Sequence, residues 1–246
     1  MSAIVIIPAR MAATRLPGKP LAEIAGLPMI VHVWRRAVEA KVGRVVVATD
    51  DLAIAAAIDL AGGEAVMTRP DHMNGTLRIH EALANLRSDA DLVVNLQGDI
   101  PTVSPSAVQA ALAPLAEPEV DMATICAVIT RDEERTNPNV VKVIGSPANL
   151  TEEDANILRV LYFTRATAPW GDGPLYHHIG LYAWRRTSLD RYVKFPPTPL
   201  EQREKLEQLR ALENGMRIDA AIVDEVPLGV DTPEDLERAR ELLAQR

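Results

Sequence analysis

The chain has 246 residues, 26 Lys+Arg against 34 Asp+Glu for a formal net charge of −8, 48% apolar types, 24% charged types and only 4% aromatics. This is ordinary globular composition, and it excludes a disordered tail, a collagen-like fibre and a disulfide-stapled miniprotein. The acidic balance argues against bulk nucleic-acid binding, and no apolar run is long enough for a signal segment or a membrane span.

Taken in chain order, the first half alternates short β-branched runs with helical patterns. Ile4–Ile7 reads as a buried strand. Pro28–Ala40 reads as a helix with an apolar stripe of Met29, Ile30, Val33, Trp34, Ala37 and Val38. Val45–Ala48 is a second strand, and Leu52–Ala61 a helix capped by Asp50 or Asp51. Ala65–Met67 is a short strand, Leu77–Leu86 a helix and Leu92–Asn95 a strand. Ser104–Leu115 is a helix, with Ser104 as cap and Pro105 at its first position. Continuous apolar strands alternating with helices imply a parallel sheet covered on both faces. The second half is less regular. Met122–Ile129, Val140–Ile144, Val160–Phe163, Ile179–Trp184 and Ile218–Val223 read as strands, Leu200–Glu213 as one charged helix, and a last helix starts near Thr232-Pro233. The expectation is one α/β domain over residues 1–246, with a nucleotide-binding half (1–118) and a second half (119–246) that extends it as a mixed sheet. Cys126 lies in the apolar run Ala123–Ile129 and is expected to be a buried, inert thiol. With one cysteine and no leader, cytoplasm is the expected compartment.

In an open parallel sheet, ligands bind beyond the carboxyl ends of the strands. The loop after the first strand, Pro8 to Pro20, carries Arg10, Arg15 and Lys19 together with Gly18 and small residues. Forked guanidinium donors, a point charge and close backbone approach suit a polyphosphate; the alternative is a solvated basic loop. The loop is neither a Walker motif nor a Gly-x-Gly-x-x-Gly fingerprint. Asp50 and Asp51 follow the second strand and read first as helix caps. Asp99, in Gln97-Gly98-Asp99-Ile100-Pro101, is either a turn residue or an acid able to face a phosphate through Mg²⁺. Asp231, in Gly229-Val230-Asp231-Thr232-Pro233, competes with Thr232 for the role of helix cap. Two such acids from distant segments suit a Mg²⁺ site across a triphosphate.

Together these residues carry a resemblance. The segment Ile7-Pro8-Ala9-Arg10 to Thr14-Arg15-Leu16-Pro17-Gly18-Lys19-Pro20-Leu21 resembles the nucleotide-binding signature of the sugar nucleotidyltransferases. Further segments narrow it to the 3-deoxy-manno-octulosonate (Kdo) cytidylyltransferase family. They include Val47-Ala48-Thr49-Asp50, Met67-Thr68-Arg69, Asp71-His72, Gln97-Gly98-Asp99, Asn137-Pro138-Asn139-Val140-Val141-Lys142-Val143, Tyr162-Phe163-Thr164-Arg165-Ala166, Gly180-Leu181-Tyr182, Pro199-Leu200-Glu201 and Gly229 to Leu236. The resemblance implies a Rossmann-like nucleotidyltransferase fold, a homodimer, and transfer of CMP from CTP to the anomeric hydroxyl of Kdo with Mg²⁺. The products are pyrophosphate and the activated sugar of lipopolysaccharide synthesis.

Carried over residue by residue, the resemblance implies that Arg10, Arg15 and Lys19 hold the triphosphate beside Ala9, with Arg10 and Lys19 catalytic. Asp99 and Asp231 would ligate the metal. Gln97 would contact nucleotide or sugar. Asn74, Gly75 and Arg78 would lie near cytosine and ribose. Arg165, His178, Tyr182, Glu201 and Gln208 would form the sugar pocket, with His177 as an alternative to His178. The chain departs from the family at Ile100, where many members carry an acid, at Asn74 and Leu77 in a segment more often Ser-Gly-Thr/Ser-acid-Arg, and in a shortened stretch between Trp170 and His177. The rival readings are a cytidylyltransferase for a related acid sugar, such as amino-Kdo or a sialic acid, and a non-catalytic nucleotide-binding relative.

Overall fold

The apolar run near the N-terminus forms strand β1 (Ala3–Ala9), in which Val5, Ile6 and Ile7 are fully buried. The structure is a computed structural model describing residues 1–12, 16–148 and 156–244. By internal contacts the chain divides into two compact units, Met1–Gln109 with Pro227–Arg246, and Ala110–Val226.

In the first unit, β1 is followed by a two-residue hairpin of β2 (Glu23–Ile24) and β3 (Leu27–Pro28), then α1 (Met29–Glu39), β4 (Arg44–Thr49), α2 (Leu52–Leu60), β5 (Glu64–Met67), α3 (Gly75–Asn85), β6 (Leu92–Asn95) and α4 (Pro105–Ala110). The strands lie in the order β5-β4-β1-β6, and every pairing among them is parallel. This is the parallel sheet expected of the first half. Each crossover passes through a helix, and two of the three helices, α2 and α3, are capped by a side chain. Asp51, not Asp50, caps α2, its Oδ1 accepting from the Ala53 and Ile54 amides at 2.8 and 3.4 Å. Asn74 caps α3, accepting from the Leu77 amide at 3.0 Å. The loop after β6 returns so close to β1 that a Cβ on Gly98 would sit 2.9 Å from the Pro8 carbonyl oxygen. Only glycine fits there without displacing backbone.

The C-terminal helix (Pro233–Ala244) packs its Leu236, Ala239 and Leu243 on Ile24 of the hairpin and Met29 of α1. The hairpin turns through Ala25 and Gly26, both with positive φ (47° and 79°), as a two-residue turn with left-handed central residues requires. The segment leading into the C-terminal helix is stitched to the loop after β6, with the Leu228 amide donating to Thr102 Oγ1 and the Val230 amide to the Asp99 carbonyl, both at 2.8 Å. By this route Asp231, more than 200 positions from β1 in sequence, reaches the ends of β1 and β6.

The second unit contains β7 (Met122–Val128), α5 (Asp132–Thr136), β8 (Lys142–Pro147), β9 (Ile157–Thr164), β10 (Tyr176–Arg185), α6 (Arg186–Tyr192), α7 (Pro199–Glu204), α8 (Leu209–Glu213) and β11 (Ile218–Ile222). Its strands run in the order β10-β7-β11-β9-β8. Only β7 and β11 pair in parallel, so the mixed sheet expected of the second half is present. β8 also pairs with β10, Val143 opposite Tyr176 and Lys142 opposite His177, so the strand order returns on itself. Cys126 is buried in β7, and burial pushes its thiol up to about 12, as expected of an inert core residue.

Two expected helices are broken. The helix expected over Ser104–Leu115 ends at Ala110, and a separate 3₁₀ turn follows at Ala113–Ala116. Pro114 has no amide hydrogen to offer the Ala110 carbonyl, so the helix cannot continue through it. The helix expected over Leu200–Glu213 is two helices parted at Lys205, which adopts φ 57° and ψ 48° without being glycine. The strand expected over Val140–Ile144 begins only at Lys142. Among the described residues, no helix is long and apolar enough to cross a membrane.

Candidate active site

At the carboxyl ends of β1 and β6 the first unit opens a cleft of about 320 Å³, lined by Pro8, Ala9, Arg10, Ala12, Leu16, Lys19, Pro20, His72, Asn74, Gly75, Arg78, Gln97, Gly98, Asp99 and Asp231. Of the residues expected to bind nucleotide or metal, all those described line it; Arg15 lies outside the described residues. The centre of the cleft is an ammonium held by two carboxylates. Lys19 Nζ donates to Asp99 Oδ2 at 2.8 Å and to Asp231 Oδ1 at 3.0 Å. The Lys19 side chain is 14% exposed, against 35% for Asp99 and 48% for Asp231, so the cation sits at the bottom and the acids face the opening. Burial alone would lower the Lys19 pKa. The charge and hydrogen bond of Asp99, then those of Asp231, outweigh it and leave the pKa raised, so Lys19 is charged at neutral pH.

Thr232, not Asp231, caps the C-terminal helix: its Oγ1 accepts from the Asp235 amide at 3.2 Å, while the Asp235 carboxylate accepts from the Thr232 and Asp231 amides at 2.9 and 3.1 Å. Asp231 therefore reaches Lys19 with its own carboxylate. Asp99 is held through its backbone carbonyl by Val230, which leaves its side chain in the cleft. Gln97 Nε2 donates to Asn95 Oδ1 at 3.2 Å. Ile100, beside Asp99, is buried.

The donor set fits a hard divalent cation. Two carboxylates from separate segments converge on one positive charge, and Mg²⁺ is commonly held by one or two carboxylates with the remaining positions filled by phosphate and water. Among the described residues no group of three or more His, Cys, Asp or Glu makes an all-protein cage.

In the second unit, three of the residues expected to read the sugar form one buried group. Tyr182 Oη donates to Gln208 Oε1 at 3.3 Å, and the His178 ring lies 5.6 Å from that of Tyr182 and 4.8 Å from that of Phe163. His178 Nε2 meets Thr124 Oγ1 at 3.1 Å. The Gln208 Nε2 amide is buried with no hydrogen-bond partner among the described residues. Glu201 is elsewhere engaged. It forks onto Arg210, 2.8 and 2.5 Å, and accepts from the Thr198 amide at 3.0 Å. Arg165 donates to the carbonyls of Glu204 and Pro138 at 2.8 and 2.9 Å. His177, the alternative to His178, lies 3.9 Å from Glu134 and pairs in register with the buried Lys142.

Burial, and then neighbouring charge, pushes His178 down to about 3 and His177 down to about 4, with Lys142 and Arg131 adding to burial at His177. Both stay neutral in the folded protein where the unfolded chain, with pKa near 6.5, takes up protons. Their folded pKa values are depressed, so stability is full above about pH 6.5 and falls as pH drops toward 4, by about 1.4 kcal/mol per pH unit for each histidine. Thermal unfolding measured from pH 7.5 to 5 is expected to show this fall, and His178→Gln is expected to remove about half of its slope; an unchanged slope would contradict the assignment.

The family model for cytidylyltransferases matches residues 4–218. The chain belongs to the cytidylyltransferase family. It is accordingly a nucleotidyltransferase, from a family whose members use a divalent metal. A 3-deoxy-manno-octulosonate cytidylyltransferase from Methylobacterium sp. (strain 4-46) is 64% identical over 245 residues, 99% of this chain and 97% of the relative. One from Rhodopseudomonas palustris (strain HaA2) is 65% identical over 243 residues, 98% of this chain and 97% of the relative. The structure of a CMP:2-keto-3-deoxy-manno-octonic acid synthetase complexed with CTP superposes with a TM-score of 0.91 at 39% identity, covering 100% of this chain and 99% of the other.

Sequence reasoning missed part of the cytidylyltransferase's cleft. His72 and Glu81 are hydrogen-bonded, with Arg69 on the same carboxylate. Arg78 is anchored by Thr68 and Asp50. The signal for Asp50 was its place directly after a strand, but a cap was the simpler reading of two adjacent acids.

Proposed function

We propose that this cytidylyltransferase transfers CMP from CTP to the anomeric hydroxyl of Kdo. The sugar oxygen bonds to the α-phosphorus, the α–β anhydride bond breaks, and pyrophosphate leaves. The hydroxyl proton is lost to solvent. The observation that carries the assignment of the site is the Lys19 ammonium held between Asp99 and Asp231 at the floor of the cleft. In this reading Asp99 and Asp231 ligate Mg²⁺, and Arg10, Arg15 and Lys19 hold the triphosphate. Lys19 is placed to exchange its carboxylate partners for phosphate oxygens, where a fixed cation stabilises charge building on the α-phosphate and the leaving group. When bound, Mg²⁺ supplies further charge neutralisation and favours the ionised form of the attacking oxygen. Ala9, Asn74, Gly75 and Arg78 receive the nucleoside.

Kdo is read by Gln97, Arg165, His178, Tyr182, Glu201 and Gln208. The buried Gln208 amide, without a partner among the described residues, supports this set, because a sugar oxygen would satisfy it. Arg165 and Glu201 retain hydrogen-bonding capacity beyond the bonds they make within the chain. The whole of residues 1–246 acts as one catalytic chain, as a homodimer, in the cytoplasm, making the activated sugar for lipopolysaccharide synthesis.

Pyrophosphate release tests the reading, with Kdo, amino-Kdo and a sialic acid offered in turn against CTP, ATP, GTP and UTP. Release is expected with CTP and Kdo, abolished by EDTA and restored by Mg²⁺. Turnover of a different acid sugar in preference to Kdo would overturn the sugar assignment, and turnover in EDTA would overturn the metal.

A further inference from the structure

Arg78 lies at the floor of the cleft, 3% exposed, on the first turn of α3. Its Nη1 donates to Thr68 Oγ1 at 2.6 Å and its Nη2 to Asp50 Oδ2 at 3.2 Å. The two anchors follow β5 and β4, and the Thr68 amide donates to the Thr49 carbonyl at 2.8 Å, which ties the two strand ends together. Asp51 does the capping of α2, so Asp50 has no local duty. Its other oxygen, Oδ1, is buried without a hydrogen-bond partner among the described residues. A half-satisfied buried carboxylate is a poor packing element. What it achieves is to fix the guanidinium, which has more N–H donors than these two contacts use.

The strand order gives those donors a target. Asp99 follows β6 and Lys19 follows β1, whereas the Arg78 anchors follow β4 and β5, on the other side of β1. If the triphosphate lies over Lys19 and the acids, the nucleoside extends toward Arg78. Cytosine presents two adjacent acceptors, O2 and N3, on one edge, and a guanidinium fork matches both. Uracil replaces the N3 acceptor with an N–H, which meets the fork donor against donor.

We propose that Asp50 is a positioning residue for base selection: it touches no nucleotide, and it holds Arg78 in the orientation that accepts cytosine and rejects uracil. The proposal rests on the reading of this cleft as the CTP site. It is tested by steady-state kinetics at saturating Kdo, with CTP as substrate and UTP as competitive inhibitor, on wild type, Asp50→Ala and Lys19→Ala. Asp50→Ala is expected to raise the KM for CTP about tenfold with kcat changed far less, and to lower the ratio of the UTP inhibition constant to that KM by about tenfold, because UTP made no N3 contact to lose. Lys19→Ala is expected to weaken both nucleotides alike. If Asp50→Ala does not fold, Thr68→Val removes the other anchor and is expected to lower the same ratio. A wild-type ratio in Asp50→Ala, whether or not the variant melts lower, overturns the proposal when Lys19→Ala has crippled turnover. If Lys19→Ala leaves CTP turnover intact, the cleft is not the CTP site, and the proposal falls together with that reading.

Discussion

Asp99→Asn and Asp231→Asn are each expected to lower kcat by about three orders of magnitude while the melting temperature stays close to that of the wild type. The two halves of this expectation have separate causes. Both carboxylates are partly exposed, at 35% and 48%, and each shares one ammonium with the other. An ion pair in such a setting contributes less than about 1 kcal/mol to stability. Asp99 is tied to the fold by its carbonyl, and the C-terminal helix is capped by Thr232 and Asp235. The loss is therefore chemical, since the amide keeps the shape and removes the charge that a divalent cation needs. Circular dichroism and pyrophosphate release on each variant check both halves. Near-normal turnover in both would remove them as metal ligands.

Lys19→Ala is expected to lower kcat/KM for CTP by about a hundredfold and to change the KM for Kdo far less. Its ammonium is more enclosed than either carboxylate that holds it, and its pKa is raised by Asp99 and Asp231 against the cost of burial. Removing it leaves two facing carboxylates without their common counter-ion, which also repels the triphosphate. Varying each substrate at saturating levels of the other separates the effects. Equal losses on both substrates would mean that Lys19 only organises the site.

How far this site could be read in advance depended on the kind of signal each residue left. β1, β4 and β6 were legible because strands buried on both faces appear as continuous apolar runs, and the rule that ligands bind beyond their carboxyl ends then pointed to Lys19 and Asp99. Asp231 stood in competition with Thr232, and only the reciprocal bonds of Thr232 and Asp235 separate a cap from a cleft acid. Asp50 and Asp51 posed the same question one strand over, with the same kind of answer. The break at Lys205 left no trace, because a lysine in the left-handed region lacks the glycine that marks most such helix ends. The break before Pro114 was legible in principle and was outweighed by the apolar pattern around it. The residues proposed to read the sugar rest on family resemblance alone; nothing in the spacing of His178, Tyr182 and Gln208 announces that β10 and the start of α8 bring them together.

The most direct test of the central claim follows the phosphorus itself. Incubated with Kdo, Mg²⁺ and CTP labelled at the α-phosphate, the protein is expected to place the label in a phosphodiester to the anomeric oxygen of Kdo, seen by ³¹P NMR, with one pyrophosphate released per sugar consumed. Label appearing as free CMP, or pyrophosphate formed at the same rate without sugar, would contradict it.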